Sequence, residues 1–558
     1  MAILVVLSVL TVAFLVAFLI VLILYISQKQ ADPMIPYRAP IASQLRVESA
    51  GVGPPIGVYS PEPEPQESLD PKSSPNYNFD AASREPTSNN DIRKPKFYNW
   101  ITSLNGAPVG VYNGGAVVSD SEICSEMARN ILMAGGNAAD AAIAATFCLG
   151  GLHPHNSGLG GGMFMTYYNR QTGRCSAIDG REEAPAAARP EEFGDKTNNT
   201  NGWRSIGVPG QLHALRTAYT RLGSGKVHWS ALILPTQRML TTGTPVTAEL
   251  ADALDQHKLT ITNGSSSLRG FISRKNATQP LEAGEVIQEA QLGELLRSLA
   301  DENGRDPVQH FYNSHETDWM VREIRAAGGL LTHDDFRSYR SNVHEHAAQV
   351  QLPGSLSACA PPPPSTGATT LALLNFVARL VKEAQRSNNN ARSLSTVNGT
   401  VRFYADWLSA SRRVHESRAK LADPIYAPEA DAEAKLLSSE QFAERLLRQV
   451  ADGRTLRNEA DASSWSEQAT ANTASSHVAV VDRHGNAAVV ASSLGHACAV
   501  MCSSIALLTR IFRFRFGSKK RSAWTSIIWN NAMDQFERMP VDPASRRQAQ
   551  RRSTGNNF

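Results

Sequence analysis

Hydrophobic and polar positions change regime several times along the chain. Residues 2–26 form one apolar run without a charged residue, proline or glycine. As a helix, those positions would reach about 37 Å at ~1.5 Å per residue, more than the ~30 Å hydrocarbon core of a bilayer. A cleaved leader carries an apolar stretch of only about 7–15 residues before small residues at its cut. Here the run continues to Leu24-Tyr25-Ile26 and ends in Ser27-Gln28-Lys29, so the expectation is an uncleaved anchor over 1–26, with a cleaved leader as the alternative. Residues 27–106 turn to Pro, Ser, Asn, Glu and Asp, a composition that cannot bury enough apolar surface to offset its ordering entropy. That stretch reads as a semi-extended stalk.

Globular patterning begins near residue 107. Gly115-Ala116-Val117-Val118-Ser119 reads as a short strand, and 122–134 has helical spacing with Ile123, Met127, Ile131 and Leu132 on one face. Gly135-Gly136 stops it, and Asn137 can cap a second helix whose many alanines allow another layer to approach closely. Cys124 and Cys148 fall on these two helices, where either a disulfide or a free buried pair is possible. Cys175, Cys359, Cys498 and Cys502 lack metal-ligand spacing. The run His153-Pro154-His155-Asn156-Ser157-Gly158-Leu159-Gly160-Gly161-Gly162 precedes an alternating segment, 163–168. With no Lys-Ser/Thr after the glycines and a strand following them, it predicts a close-approach turn and not a phosphate loop. Its two histidines, like His344 and His346, read as structural residues and not as metal ligands.

Two further strand-like runs, 475–481 and 487–493, flank Asp482-Arg483-His484-Gly485-Asn486, a hairpin turn signal. If the turn has five residues, Val481 faces Ala487, and counting back sets Ser475 opposite Ser493. Directly paired Cβ atoms lie about 4.5–5.5 Å apart, within range of a shared hydroxyl hydrogen bond.

The chain has 558 residues with 55 Lys+Arg against 52 Asp+Glu, and 42% are hydrophobic, which excludes a charged tail protein and a wholly disordered chain. The basic cluster from Arg510 to Arg521 alternates with Ile511, Phe512, Phe514 and Phe516 like a solvated strand face, so no nucleic-acid partner is expected. Lys29 and Arg38 follow the anchor, and the positive-inside rule alone would keep the bulk of the chain cytoplasmic. Against that stand four glycosylation sequons, at Asn198, Asn263, Asn276 and Asn398, and the Cys124/Cys148 pair, which suits an oxidising compartment.

The block Ala-Gly-Gly-Asn-Ala-Ala-Asp-Ala-Ala (134–142), Pro-His-Asn-Ser-Gly-Leu-Gly-Gly-Gly (154–162) and Ile-Asp-Gly-Arg-Glu-Glu-Ala-Pro (178–185) resembles the γ-glutamyltransferase, or glutathione hydrolase, family. So do Ser205-Ile206-Gly207-Val208-Pro209-Gly210, Leu331-Thr332-His333-Asp334-Asp335-Phe336, residues 361–367 and Asn530-Asn531-Ala532-Met533-Asp534-Gln535-Phe536. The ordered matches cover about 107–496 and 513–536. Anchor, stalk and Ser492-Ser493-Leu494 look most like its divergent type II membrane branch, which implies a single-pass protein of the plasma or secretory-pathway membrane with its large C-terminal part outside. The resemblance further implies an α+β fold, the four-layer αββα sandwich of N-terminal nucleophile hydrolases, and a Cys124–Cys148 disulfide. It implies no cofactor and no metal.

In that family the precursor cuts itself before a Thr, whose hydroxyl then attacks the γ-glutamyl carbonyl of glutathione or its conjugates. Water or an amino-acid or peptide acceptor takes the glutamyl group, and the fragments remain a large/small subunit heterodimer. By position, Ser475 replaces the nucleophile, with cleavage after Ala474; the large-subunit region is 107–474 and the partial small-subunit region 475–536. Ser493 replaces the second Thr that holds the nucleophile, and Arg181 matches the Arg that clamps the substrate α-carboxylate with two parallel donors. Three positions depart: Gly495 stands for a substrate-binding Asn, Ala532 for a Glu or Gln, and Gln535 for the Asp that meets the α-ammonium. Residues 496–511 form an atypical insertion, the later motifs are absent, and 537–558 is a divergent basic tail, which reads as a C-terminally truncated member. The expected function is γ-glutamyl hydrolysis or transfer; the alternative is an inactive, unprocessed, membrane-anchored member.

Overall fold

The computed structural model describes residues 114–189, 201–303, 306–386, 396–451, 475–495 and 516–535, all within one unit, Gly106–Phe558. The expected anchor and stalk, Asn198, the whole 496–511 insertion with Cys498 and Cys502, and the 537–558 tail lie outside the described residues. Among the described residues no helix is long and apolar enough to cross a membrane.

The chain enters through strand β1 (Gly115–Ser119) and helices α1 (Glu122–Met133) and α2 (Ala138–Leu152). All fifteen residues of α2 are buried, which its alanines permit at little steric cost. The Asn137 side chain caps α2 by accepting from the amides of Ala139 and Asp140, while Asp140 returns the bond to the Asn137 amide. The carboxylate of Asp482 adds an acceptor for the Ala138 amide at 3.2 Å, at the positive end of the helix dipole.

Strands β2 (Gly162–Asn169), β3 (Arg174–Gly180), β4 (Asn342–His344), β5 (Ser476–Asp482) and β6 (Ala487–Ser493) complete one antiparallel six-stranded sheet, ordered β1-β5-β6-β2-β3-β4. Helices α1 and α2 and a third, α3 (Gln211–Leu222), pack on one face. That face carries Met163, Met165, Ile178, Val478, Val480, Ala488 and Val490, all in the central core. On the other face the β1/β5/β6 half leaves Val118, Val481 and Val489 exposed. The β3 half is tied there to a hairpin, Ala348–Leu352 with Leu356–Ala360, by a Cys175–Cys359 disulfide. Helices Gly367–Arg386, Val397–Glu416, Glu429–Leu437 and Glu440–Ala451 build a satellite core beyond that hairpin.

Besides the six-stranded sheet, the described residues contain only two-stranded pairs. The α+β class holds, and the described residues supply one helical layer and one of the two main sheets of the four-layer expectation. Cys124 and Cys148 are disulfide-bonded, with Cα atoms 5.4 Å apart. The basic cluster differs from its reading as a solvated face at Arg521. Its guanidinium pairs with buried Glu289, donates to Ser526 Oγ at 2.8 Å and lies over the Phe271 ring.

Candidate active site

The five-residue turn places Val481 opposite Ala487, and the β5/β6 ladder runs back to Ser476 opposite Ser492. Gly485 supplies the positive φ of the turn, and Asp482 Oδ1 accepts from the amides of His484 and Asn486 at 2.9 and 3.0 Å. One further step of this register sets Ser475, half-buried and just ahead of β5, opposite Ser493. Two residues on, the His477 amide donates to Asp120 Oδ2 at 3.0 Å, which pins the start of the strand.

Ser493 faces Gly162 on β2, and Met163 faces Gly180 on β3. Arg181, the next residue after β3, therefore continues opposite Gly162. Continued by one position each, the flanking ladders would set Ser475 and Arg181 in one row with the paired Ser493 and Gly162. Directly opposed residues share a face, and this row belongs to the face turned away from α1–α3. Ser475 and Arg181 are three strand spacings apart, about 14 Å between Cα atoms at ~4.8 Å per spacing. An extended arginine reaches roughly 6–7 Å, and a γ-glutamyl group spans roughly 5 Å from its reacting carbonyl to its α-carboxylate at standard bond lengths. By length alone such a substrate could touch both ends of the row, although the Glu182 carboxyl lies over Gly162, where a Cβ would meet Oε2 at 2.7 Å.

Small residues let the row close. A Cβ at Gly161 would lie 2.2 Å from the Ser493 carbonyl oxygen and one at Gly160 2.1 Å from that of Ile528, so the glycine run is the close-approach turn its sequence predicts. Ser493 Oγ accepts from the Gly495 amide at 3.0 Å. Gly495 has φ +112°, and a Cβ there would sit 2.1 Å from Asn531 Oδ1. A larger residue at 495 is disfavoured here by both backbone and neighbour. Ala532 is wholly buried.

Arg181 is buried at the sheet end. Its amide donates to Asp179 Oδ1 at 2.9 Å and its carbonyl accepts from the Tyr339 hydroxyl at 2.6 Å. A cavity of about 10 Å³ lies beside it, walled by Asp179, Glu182, Tyr339, Pro364 and Asp423. That is the room of one water, less than a carboxylate needs. Burial lowers the guanidinium pKa while Glu182 and Asp179 raise it; Arg remains cationic throughout.

Sequence reasoning passed over four groups here. Glu182 is 2% exposed, and burial, partly opposed by Arg181, raises its carboxyl pKa to about 7. Its carboxyl lies against the backbone amides of Gly162 and of Glu182 itself, which with Arg181 oppose the effect of burial. Ser492, the neighbour of Ser493 on the core face, shares a hydrogen bond with Ser157 Oγ at 2.6 Å and donates to Gln211 Oε1 at 2.7 Å. Asn530 stitches three segments: Nδ2 donates to the carbonyls of Gly160 and Gly207 at 2.7 and 2.9 Å, and Oδ1 accepts from the amides of Gly207 and Ala532, both at 2.9 Å. The fourth is the Cys175–Cys359 bridge, which holds the wall-bearing lobe to β3. Glu182, Ser492 and Asn530 each sit inside a motif that carries the resemblance, but their packing roles had no local signal, and neither did the pairing of Cys175 with Cys359. His153 and His155 are buried, their rings 5.4 Å apart, with His155 also near Phe516.

The gamma-glutamyltranspeptidase family model matches residues 124–555, more than three quarters of the chain. The chain belongs to that family. The match runs past residue 536, the last residue of the Asn-Asn motif segment. Scoloptoxin SSD14 of Scolopendra dehaani is 32% identical over 429 residues, covering 77% of this chain and 68% of that protein. Glutathione hydrolase 5 proenzyme of Homo sapiens is 29% identical over 449 residues, 79% of this chain and 70% of the relative. Glutathione hydrolase 7 of Rattus norvegicus is 30% identical over 317 residues, 57% and 44%. The similar identities single out no branch, and the chain spans from 44% to 70% of the lengths of these relatives. Among solved structures, cephalosporin acylase from Bacillus halodurans shares the fold at TM-score 0.60 and 20% identity, covering 82% of this chain and 77% of that one. Gamma-glutamyltranspeptidase from Pseudomonas nitroreducens, complexed with L-DON, superposes at TM-score 0.51 and 25% identity over 61% of this chain and 95% of that one. Family membership makes this an enzyme of γ-glutamyl hydrolysis and transfer.

Proposed function

We propose that the chain cuts itself between Ala474 and Ser475 and then uses Ser475 as an N-terminal nucleophile on the γ-glutamyl amide of glutathione and its conjugates. The pairing of Ser493 with Gly162, between the strand ends that carry Ser475 and Arg181, supports the reading, because a γ-glutamyl group of roughly 5 Å together with the reach of an arginine spans a separation of about 14 Å. The free α-amino group of Ser475, with an ordinary pKa of about 7.7–8.0, takes the hydroxyl proton as Oγ attacks. The glutamyl ester forms on Oγ and the amine leaves with that proton; water or an acceptor amine then reverses the sequence. Ser493 holds the nucleophile in line, and Arg181 grips the α-carboxylate bidentately. Serine retains the hydroxyl chemistry of threonine but lacks the methyl that fixes χ1, so turnover is slower than with threonine.

The second main sheet of a four-layer αββα sandwich would cover the open half of the β5/β6 face. The two disulfides and the sequons at Asn263, Asn276 and Asn398, all on exposed residues, support an extracellular or lumenal location for this part of the chain. With the apolar run at 2–26, that makes a single-pass type II membrane protein of the plasma or secretory-pathway membrane. Expression in a secretory host, with N-terminal sequencing of the fragments and a chromogenic γ-glutamyl anilide assay, tests the mechanism. A small fragment beginning at Ser475, absent in Ser475→Ala, is expected to accompany activity; activity from an uncut chain would overturn it.

A further inference from the structure

A surface groove of about 480 Å³ runs between Leu259, Thr260 and Asn263 on one side and Ser518, Lys519 and Lys520 on the other. Its two walls come from opposite sides of the proposed cut. Asn263 is the acceptor of the sequon Asn263-Gly264-Ser265 and is exposed at the groove. Its Oδ1 accepts from the Ser265 amide at 3.1 Å and the Ser265 hydroxyl at 3.0 Å, which leaves Nδ2 as the unengaged end of the carboxamide. Beside it Leu259 is 88% exposed, the most exposed large apolar side chain among the described residues. The groove therefore offers an apolar step, hydroxyls and two ammonium groups around an attachment point.

We propose that an N-linked glycan on Asn263 folds back into this groove, its first N-acetylhexosamines covering Leu259 and bridging to the Ser518–Lys520 wall. In the transfer, Nδ2 displaces the diphosphate of a lipid-linked oligosaccharide: the Nδ2–C1 bond forms, the C1–O bond breaks, and one amide proton is lost. A pyranose ring presents one apolar C–H face to a leucine while its hydroxyls and acetamide meet polar groups. The groove volume lies in the range that encloses a small organic ligand, roughly 300–1,000 Å³. A glycan seated there is a clamp between the large- and small-subunit segments. The inference rests on the extracellular or lumenal reading of this region.

Asn276 provides the control. It is exposed and makes the same turn, accepting from the Thr278 amide at 3.0 Å and hydroxyl at 2.7 Å, yet it does not line the groove. The full chain from a secretory host is treated with a peptide N-glycosidase, native and denatured, and release is followed site by site by mass spectrometry. The expected result is native release from Asn263 at least tenfold slower than from Asn276, equal rates after denaturation, and loss of the difference in Leu259→Asp. Glycans at both sites with equal native rates would overturn the seating in the groove. Glycan at Asn276 alone would overturn the site itself. No glycan at either, with free thiols at Cys124 and Cys148, would overturn it together with the compartment reading.

Discussion

A carboxyl group stripped of water is driven to hold its proton, and Glu182 lies buried beside the Arg181 cavity, where burial outweighs the opposing effects of Arg181 and the backbone amides of Glu182 and Gly162. Its pKa, raised to about 7 chiefly by burial, gives a defined pH signature. Below the unfolded-state value, about 4.3, both states are protonated and the contribution is fully present. As pH rises toward 7 the unfolded chain releases a proton that the folded chain retains, so stability falls through that window and then levels. Chemical denaturation of Glu182→Gln against the parent should show the difference between them growing from pH 4.5 to 7 in favour of the variant; a constant difference would mean that Glu182 is ionised throughout. Arg181 lies on the same scale. Lysine keeps the charge but cannot supply two parallel donors, and losing one charge-assisted bond costs roughly 1.5–3 kcal/mol. Arg181→Lys should therefore lower kcat/KM for a γ-glutamyl anilide about 10- to 100-fold, mainly through KM, without changing self-cleavage. A loss of cleavage in this variant would assign the residue to the fold instead.

At the level of elements, what the sequence shows is local periodicity and turn length. The five-residue turn after Val481 dictated a register, and the observed ladder follows it pair by pair from Val481 to Ser476. The cap at Asn137 and the stop at Gly135-Gly136 are likewise local, and both lie where the residues require them. Contacts that depend on which distant segments meet had no such signal. Cys175 and Cys359 are 184 residues apart, and nothing near either names its partner. Glu289 gives no hint that Arg521 will be its counter-ion, which is why a charge cluster read as solvated contains a buried pair. Asn530 marks the boundary between the two cases. Its motif was visible, but its work, four hydrogen bonds to Gly160, Gly207 and Ala532, depends on packing. Removing that side chain strands buried amides and carbonyls, at about 1–3 kcal/mol for each group left unpaired. Asn530→Ala should lower Tm by many degrees and impair processing, whereas Asn530→Asp, which keeps the two acceptor bonds, should fall between it and the parent; equal Tm values for all three would remove Asn530 from the frame of the site.

For the whole molecule, the proposed cut falls ahead of a strand that is already woven into the sheet. Strand β5 lies between β1, from the N-terminal side of the cut, and β6, from the C-terminal side, and β6 in turn pairs with β2. The Arg521–Glu289 pair and the Asn530 bonds cross the same boundary. Both described disulfides, Cys124–Cys148 and Cys175–Cys359, stay on the N-terminal side. The cut therefore removes one covalent link while leaving intact the ladders and the buried apolar face that hold β5 in place, with Val478 and Val480 in the same core as Met163 and Met165. Because burial of that face, at about 25 cal/mol per Å², is indifferent to chain continuity, the fragments should co-elute as one species under native conditions. On a denaturing gel without reductant they should separate, since no described disulfide joins them. Spontaneous dissociation under native conditions would mean that the strand order, which makes β5 an interior strand contributed by the smaller fragment, does not survive processing.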